Sequence, residues 1–273
     1  MAKQTIGILG CGYLGFPLAI ALSERGWHVK GSTTTPEKMR LLEKAGIEPY
    51  LLRLNPEFDG NPTQFLETDT LFLNIPPGRR RNNVEPFYGA LIAAVLHAVR
   101  RSSVRFVIFA SSTSVYPAQD RVWKEEEAGI SPPRRASGRA LLKAERQLQS
   151  EPSLDATILR FAGLYGYERA PGRFVGGILS RPRNVVNVIH RDDAVGAVLA
   201  VLTHDARGET FNVCSDGHPT RAKFYARAAE WLGADPPTVE DGSVRQSGRV
   251  SNRRLKERLG YAMVWPDPLR PAP

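Results

Sequence analysis

The sequence is poor in cysteine, and long apolar runs are missing from it. Cys11 and Cys214 are the two cysteines among 273 residues, and neither forms a Cys-x-x-Cys or His/Cys cluster, so neither a disulfide framework nor a zinc site is expected. No segment approaches the roughly 18 apolar residues of a transmembrane helix. Glycines interrupt the early run TIGILGCGYLG, which argues against a signal peptide. We therefore predict a soluble cytoplasmic protein that has no membrane partner.

Acidic residues are fewer than basic ones. The chain has 37 Lys and Arg against 28 Asp and Glu, a formal net charge of +9. The basic residues are spread along the chain, with short clusters at Arg79–Arg81, Arg134–Arg135 and Arg253–Arg254, which is typical of a solvated surface. Nucleic-acid binding therefore stays an unfavoured alternative, whose mark would be a strongly salt-dependent affinity for duplex DNA.

Short apolar runs alternate with helical patterns in the first half of the chain. The predicted strands are Gln4–Leu9, Trp27–Ser32, Ile47–Leu52, Thr70–Ile75, Val104–Phe109 and Asp155–Arg160. The predicted helices are Leu14–Arg25, Pro36–Ala45, Val84–Arg101 and Gly138–Gln149. This order predicts an α/β fold: a doubly wound parallel sheet with helices on both faces.

Shorter elements fill the rest of the chain. They are the predicted strands Val185–Ile189 and Thr210–Val213 and the predicted helices Asp192–Leu202 and Thr220–Leu232. We assign residues 1–160 to a dinucleotide-binding domain and residues 161–273 to a smaller C-terminal substrate lobe that sends segments back to the sheet.

A glycine motif lies between the first strand and the first helix. In GILGCGYLG, the residues Gly10, Gly12 and Gly15 form G-x-G-x-x-G. In this position the motif predicts a Rossmann-type turn. The first glycine permits the tight turn, the second lets the backbone approach a pyrophosphate, and the third lets helix and strand pack closely. The helix N-terminus then offers free N–H groups to the phosphates, and we expect Tyr13 and Leu14 to contact the cofactor as well.

No carboxylate stands at the end of the second strand, where NAD-binding units usually hold the ribose 2′-hydroxyl with Asp or Glu. The sequence there reads GSTTT, and the first acidic residue is Glu37. Hydroxyl groups with a nearby lysine would accept a 2′-phosphate without repulsion, so we predict NADP, with NAD as the alternative. The predicted contacts are Thr33, Thr34, Thr35 and Lys38. Alternatively, Thr35 serves only to cap the helix that follows it.

The fourth strand ends in LFLNIPPGRRR. The carboxyl ends of strands line the ligand crevice of a doubly wound sheet, so Asn74, Ile75 and Pro76 are predicted to border the cofactor. The arginines Arg79–Arg81 follow in a loop that either reaches an anionic group or is simply solvated.

FVIFASSTSVYP ends the fifth strand, and together with the glycine motif it resembles the short-chain dehydrogenase/reductase superfamily, on its NAD(P)-dependent epimerase/dehydratase branch. The segments Leu159–Gly166, Val186–Leu202 and Ser251–Tyr261 extend the resemblance over nearly the whole chain. SSTSVY, SGR, PGRF and PDPL are similar to the YeeZ-like subgroup, whose activity is unassigned. The resemblance implies that Ser111, Ala162 and Leu164 lie beside the cofactor.

Active members of the superfamily use a Ser or Thr after the fifth strand to orient the substrate oxygen, and a Tyr-x-x-x-Lys pair for acid–base chemistry. When the family pattern is aligned on Gly138 and Glu145, Ser112 takes the Ser/Thr position. The tyrosine position is then Ser137 and the lysine position is Leu141. The resemblance therefore implies a Rossmann-type enzyme fold without the usual catalytic pair. The dehydratase acid pair is also replaced, by a threonine and a serine.

Ser112, Ser137 and Arg139 are the candidate catalytic residues. Ser137 is a poor proton donor because its hydroxyl has no pKa near 7 without a base. Arg139 can stabilise negative charge but cannot act as a base. Other candidate proton donors are His190, Tyr116 and Tyr165, although His190 in this family usually caps the following helix. Candidates for the substrate side are Asn187, Arg169 and Arg173. The two arginines either bind a small anionic ligand, acidic or phosphorylated, or belong to a solvated loop.

Two functions follow from these observations. The first is an NADP-dependent oxidoreductase-like protein that acts on a small anionic carbonyl or alcohol. The second is a catalytically inactive NADP-binding sensor or scaffold, and a homodimer is compatible with either. A hydroxyacid dehydrogenase with an all-helical second domain is a third alternative, but the predicted strands Val185–Ile189 and Thr210–Val213 argue against it.

Overall fold

The computed structural model describes residues 4–78, 82–169, 171, 176–240 and 247–270. The strands are β1 (Thr5–Leu9), β2 (His28–Thr33), β3 (Glu48–Leu51), β4 (Arg53–Leu54), β5 (Phe58–Asp59), β6 (Thr70–Leu73), β7 (Phe106–Ser112), β8 (Val122–Trp123), β9 (Asp155–Phe161), β10 (Gly163–Tyr165), β11 (Ile178–Leu179), β12 (Val188–His190), β13 (Thr210–Val213), β14 (Thr238–Val239) and β15 (Arg249–Val250). The helices are α1 (Gly15–Glu24), α2 (Met39–Lys44), α3 (Val84–Val99), α4 (Ala136–Gln149), α5 (Arg191–Thr203), α6 (Arg221–Trp231) and α7 (Arg253–Leu259). In the described parts of the chain, no helix is both long and apolar enough to cross a membrane.

Seven strands form one parallel sheet in the order β13-β9-β7-β6-β1-β2-β3. Chain order reverses between β1 and β6, and in open sheets of this kind the ligand crevice lies at that switch point, beyond the carboxyl ends of the strands. The structure therefore confirms the predicted doubly wound parallel sheet.

Both faces of the sheet are buried. Along β7, Phe106 and Ile108 point into an apolar layer shared with α1, α5 and α7, whereas Val107 and Phe109 point into a layer shared with α3 and α4. Successive side chains of a strand point to opposite faces, so both faces must be apolar where helices cover both. This explains why the strands read as continuous apolar runs in the sequence.

The predicted elements of the main sheet lie where the sequence placed them, with bounds shifted by up to three residues. Thr210–Val213, predicted as a strand in the second half, is the edge strand β13 beside β9. The short pairs β4–β5, β8–β15, β10–β12 and β11–β14 were largely not predicted. Strands of two or three residues are too short to show a recognisable period of two.

Asp193 ties the C-terminal segment to the second half of the molecule. This fully buried carboxylate accepts hydrogen bonds from the Tyr261 hydroxyl at 2.9 Å and from the backbone N–H groups of Val264 and Trp265, both at 2.8 Å. The C-terminal segment is therefore anchored by a residue at the start of α5.

Candidate functional site

The glycine loop after β1 has room for a ligand at one position. A Cβ atom on Gly10, which has φ 111°, would lie 2.5 Å from the Asn74 carbonyl oxygen, and one on Gly15 would lie 2.2 Å from the Gly10 carbonyl oxygen. A Cβ on Gly12 would meet nothing within 4 Å. Gly10 and Gly15 are thus required by packing, whereas the space above Gly12 is open, as a pyrophosphate cradle requires.

Side chains from two strand ends hold the glycine loop. The Gly10 N–H donates to Ser32 Oγ on β2 at 2.9 Å, and Asn74 Nδ2, just after β6, donates to the Gly10 carbonyl at 2.9 Å. The next residue, Ile75, accepts a hydrogen bond from the Tyr88 hydroxyl at 2.7 Å, and Pro76 is exposed. The segment predicted to border the cofactor therefore lies against the glycine loop.

Hydroxyl groups surround the end of β2. Thr33 Oγ1 accepts the Thr35 N–H at 3.1 Å, and the exposed Thr34 accepts Arg53 Nη2 through its carbonyl at 3.2 Å. Thr35 stands at the N-cap of the short 3₁₀ turn Pro36–Lys38, but its side chain makes no capping hydrogen bond, so the capping alternative is wrong. Arg53, on β4, is a cation that the sequence could not place here.

A cavity of about 170 Å³ separates the start of α1 from α2. Its walls are Cys11, Gly12, Tyr13, Phe16, Pro17, Lys38, Leu41, Leu42, Glu168 and Arg191. It joins the glycine loop to Lys38, the predicted contact after β2. A groove of about 510 Å³ between α3 and α4 is larger, but residues of the glycine loop are not among its walls, and we do not assign it to a cofactor.

Tyr13 links the glycine loop to the second half of the chain. Its hydroxyl donates to the Gly166 carbonyl at 2.6 Å, and its ring centroid lies 4.4 Å from the Arg169 guanidinium and 5.1 Å from that of Arg191. Burial raises the pKa of Tyr13 to about 12, so the hydroxyl stays protonated near neutral pH. Tyr13 is therefore a connector between the two halves.

Ala162 and Leu164 follow the end of β9. The Ala162 N–H donates to the Val213 carbonyl at 2.9 Å, and its side chain is buried. Leu164 is half-buried and packs on the apolar layer near α1 and α5. Their contact with a cofactor remains a prediction.

The first turn of α4 packs closely on the turn that follows β7. A Cβ on Gly138 would lie 2.2 Å from the Ser114 carbonyl oxygen, which brings the neighbouring Ser137 close to that turn. Leu141 is 4% exposed, whereas Lys143 is exposed and binds Glu85 of α3 at 2.9 Å. Lys143 therefore occupies a different face of α4 and does not substitute for a lysine at position 141.

Ser112 ends β7 with its side chain half-buried. Its Oγ accepts the Ser114 N–H at 3.2 Å, which caps the 3₁₀ turn Thr113–Val115. Because that contact uses the oxygen as an acceptor, the hydroxyl hydrogen of Ser112 is still available to donate to another oxygen.

Ser111 belongs to a buried ionic network instead. Its hydroxyl donates to the Glu145 carboxylate, which also binds Arg160 Nη2 at 2.7 Å. Arg160 and Glu145 are 5% and 1% exposed. The Ser111 hydroxyl is thus bound to Glu145 of α4, and any contact of Ser111 with a cofactor would have to come from its backbone.

Arg139 already has partners of its own. Its Nε binds Glu85 Oε1 at 2.8 Å, and its Nη1 donates to the carbonyls of Pro133 and Arg134, each at 3.1 Å. A catalytic role for Arg139 would require these contacts to break.

The other candidate proton donors are buried. His190 Nδ1 accepts the Asp192 N–H at 3.3 Å and so caps α5, and burial lowers its pKa. The Tyr116 hydroxyl donates to Asn212 Oδ1 at 2.7 Å, and burial raises its pKa to about 12. Burial also raises the pKa of Tyr165. In all three groups burial moves the pKa away from 7, so none of them is suited to exchange a proton near neutral pH.

The residues predicted for the substrate side lie in different surroundings. Both amide atoms of Asn187 are bonded to backbone, Nδ2 to the Gly248 carbonyl at 2.9 Å and Oδ1 to the Val250 N–H at 3.0 Å. Arg169 lies at Tyr13, as described above. Arg173 and the cluster Arg79–Arg81 lie outside the described residues.

Comparisons with known proteins agree with this geometry. The family described as "NAD dependent epimerase/dehydratase family" matches residues 81–214. Protein YeeZ of Escherichia coli (strain K12) is 35% identical over 272 residues, which cover 97% of this chain and 98% of that protein. The chain belongs to the NAD-dependent epimerase/dehydratase family. The resemblance predicted from the sequence is therefore confirmed.

Other members of this fold or family are more distant. A 3-diazoavenalumate denitrifying reductase of Streptomyces sp. is 28% identical over 249 residues, 83% of this chain and 80% of that protein. The structure of UDP-glucuronic acid 4-epimerase from Bacillus cereus in complex with NAD has a TM-score of 0.79 at 16% identity, covering 98% of this chain and 94% of that one. At that identity, the likeness shows the fold alone.

Sequence reasoning missed three charged residues near the glycine loop and the end of β2: Arg53, Glu168 and Arg191. No local signal marks them, because each reaches the site from an element distant in sequence. The dipeptide Glu168-Arg169 beside a resembling segment was the nearest clue.

Proposed function

We propose that the protein binds NADP and transfers a hydride between its nicotinamide and a small anionic carbonyl or alcohol. The observation that carries the proposal is the cavity that joins the open space above Gly12 to Lys38. The end of β2, which precedes Lys38 in the chain, contributes threonine hydroxyls and no carboxylate. A 2′-phosphate meets hydrogen-bond donors and positive charge there, whereas NAD lacks its usual carboxylate partner.

The residues around the glycine loop fit such a dinucleotide. Gly12 and the first turn of α1 would present backbone N–H groups to the pyrophosphate, and the loop is held in place by Ser32 and Asn74. The nicotinamide, when bound, supplies or accepts the hydride. The similarity to a protein named as a reductase favours this redox chemistry.

Ser112 would hold the substrate oxygen, because its hydroxyl hydrogen is free to donate. In the direction of reduction, the carbonyl carbon gains a C–H bond, and the electron pair of the C=O π bond moves to the oxygen. That oxygen then takes its proton from water, since Ser137 and Leu141 stand where the family has tyrosine and lysine. Loss of a positioned acid costs about 10²–10⁴-fold in rate, so we expect slow turnover.

The choice of an anionic substrate rests on basic residues that follow β10. Arg169 lies beside the glycine loop, with its guanidinium 4.4 Å from the Tyr13 ring centroid. An anion that approaches this loop would be attracted by it.

Dinucleotide binding tests the first half of the proposal. The increase in reduced-nicotinamide fluorescence on titration gives the Kd of NADPH and of NADH in the same buffer. We expect tighter binding of NADPH. Equal or weaker binding of NADPH would contradict the choice of cofactor.

Turnover tests the second half. NADPH oxidation is followed at 340 nm with a panel of α-keto acids, aldehydes and phosphorylated ketones. The Ser112→Ala variant should lose turnover while its Kd for NADPH is unchanged, and Ser150→Ala, a change at the exposed end of α4, should retain both.

A sensor or scaffold is the second candidate function, and the buried Leu141 favours it, because a buried apolar side chain at the lysine position cannot take part in proton transfer. It predicts NADPH binding without NADPH consumption for every carbonyl in the panel, in wild-type protein as in Ser112→Ala.

A further inference from the structure

An arginine from the second half of the chain lies at the glycine loop. Arg191 is the first residue of α5, and its guanidinium lies 5.1 Å from the Tyr13 ring centroid and 4.0 Å from that of Tyr167. Its side chain is 16% exposed. Two aromatic rings therefore hold a positive charge beside the proposed pyrophosphate cradle.

Arg191 shares a cavity with Lys38. Both line the space of about 170 Å³ between the start of α1 and α2, together with Gly12. Gly12 belongs to the loop that faces the pyrophosphate, and Lys38 follows the strand end that faces the adenosine ribose. A group that occupies this cavity would therefore be attached near the 2′ position of that ribose.

The two cations are incompletely paired. Arg191 Nε is buried and has no hydrogen-bond partner among the described residues. The amino group of Lys38 has no carboxylate of the described residues within 4.0 Å, so Lys38 forms no ion pair with them. Arg191 Nη1 binds the Glu168 carboxylate at 3.1 and 3.2 Å, but Glu168 is 66% exposed. Ion pairs with so exposed a partner are weak and easily exchanged.

We propose that Arg191 and Lys38 together bind the 2′-phosphate of NADP, and that Glu168 occupies Arg191 until the phosphate displaces it. The inference rests on the proposed function, and it adds a residue outside residues 1–160, Arg191, that determines cofactor specificity. A phosphate dianion forms stronger, more directional hydrogen bonds with a guanidinium than an exposed carboxylate does, which favours the exchange.

Binding constants test the proposal without any need for activity. The probes are NADPH, NADH, and the fragments 2′,5′-ADP and 5′-AMP, titrated into wild-type protein, Arg191→Gln, Arg191→Lys, Lys38→Gln and Glu168→Gln. Arg253→Gln, an exposed ion-paired arginine on α7, is the matched control. Circular dichroism and thermal unfolding confirm that each variant folds.

For Arg191→Gln we expect at least about tenfold weaker binding of NADPH and of 2′,5′-ADP, the effect of losing one charge-assisted contact. Binding of NADH and of 5′-AMP should change less than about twofold. Arg191→Lys should lie between wild type and Arg191→Gln, because it keeps the charge but not the fork of donors. Glu168→Gln should bind NADPH more tightly than wild type, since the competing anion is removed.

Two failures are distinguishable. If wild-type protein does not prefer NADPH over NADH, the proposed cofactor is wrong and this inference falls with it. If wild type prefers NADPH and Arg191→Gln keeps that preference, the inference alone is overturned. Equal losses for NADPH and NADH in Arg191→Gln would also overturn it, because they would place Arg191 at the pyrophosphate instead. Should Arg191→Gln fail to fold, Arg191→Lys and Glu168→Gln decide between the same outcomes.

Discussion

Replacing Glu145 by glutamine should destabilise the protein severely, because this carboxylate is the centre of a buried network. Arg160 donates to it from Nε at 3.1 and 3.2 Å and from Nη2 at 2.7 Å, and Ser111 donates to it as well. Burial alone would lower the pKa of Arg160, but its bonds to Glu145 and Tyr116 outweigh burial and raise it. The pair joins α4 to strands β7 and β9, at the residue before Ser112.

The magnitude follows from burial. Glutamine keeps the volume of glutamate but removes its charge and turns one acceptor into a donor that faces Arg160. The guanidinium then stays buried, with Nη1 still bound to the Tyr116 hydroxyl and the Glu125 carbonyl, but without an anion. Breaking a buried pair in this way costs about 3–5 kcal/mol. For a chain of this size, that corresponds to a decrease in Tm on the order of 10 °C.

Urea unfolding followed by circular dichroism gives the free energy of unfolding, and calorimetry gives Tm. Glu257→Gln is the matched control, since it makes the same change at the exposed pair Arg253–Glu257, and its Tm should equal that of wild type. The double variant Glu145→Leu/Arg160→Met should be more stable than Glu145→Gln, because it removes both charges.

A loss below about 1 kcal/mol in Glu145→Gln would refute this reasoning, because it is the value typical of exposed pairs. A double variant less stable than Glu145→Gln would show that the pair itself, and not the unpaired charge, sets the cost.

Three further predictions concern the cradle, pH and the C-terminal anchor. Gly12→Val should keep the wild-type Tm but lose NADPH binding by fluorescence titration, whereas Gly15→Ala should lower Tm by overpacking, with a cost of about 1–3 kcal/mol; a lowered Tm in Gly12→Val would contradict the open space. Burial lowers the pKa of both His190 and His218, so the unfolded chain binds more protons below pH 6.5, and the free energy of unfolding should fall as the pH drops from 7.5 to 5.5. In the His218→Gln variant, the free energy of unfolding measured in urea should fall less over the same pH range. A fall equal to that of wild type would show that His218 does not contribute to the pH dependence. Asp193→Asn should lose about 2–4 kcal/mol and expose the C-terminal segment to limited proteolysis, because an amide cannot accept all three hydrogen bonds; a protected segment would count against the anchor.

Local patterns in the sequence were sufficient for the fold and for part of the site. Alternating strand and helix signals predicted the parallel sheet, because period and chain order restrict its topology. The spacing of Gly10, Gly12 and Gly15 predicted the turn, and the structure shows steric reasons for the outer two. The family resemblance, aligned on Gly138 and Glu145, assigned the tyrosine and lysine positions to Ser137 and Leu141, and both residues lie on α4, which begins two residues before the predicted helix.

Those patterns could not predict which partners individual side chains bind. Ser111 and Arg139 looked available in the sequence, yet each has partners on another element: Glu145 for the first and Glu85 for the second. Thr35 looked like a cap and makes no capping bond. Which of two nearby acceptors a short side chain reaches depends on distances of a few tenths of an ångström, which composition and spacing do not encode.

By itself, the sequence determined the parallel sheet and the glycine turn between β1 and α1, because the signals for both come from residues close together along the chain. Only the tertiary structure decided which charged side chains lie at the glycine loop and at the end of β2. Arg53 reaches the end of β2, and Arg191 reaches Tyr13 of the glycine loop, which lies 178 residues earlier in the chain. Contacts of such separation are set by the packing of whole elements, so no local pattern could predict them.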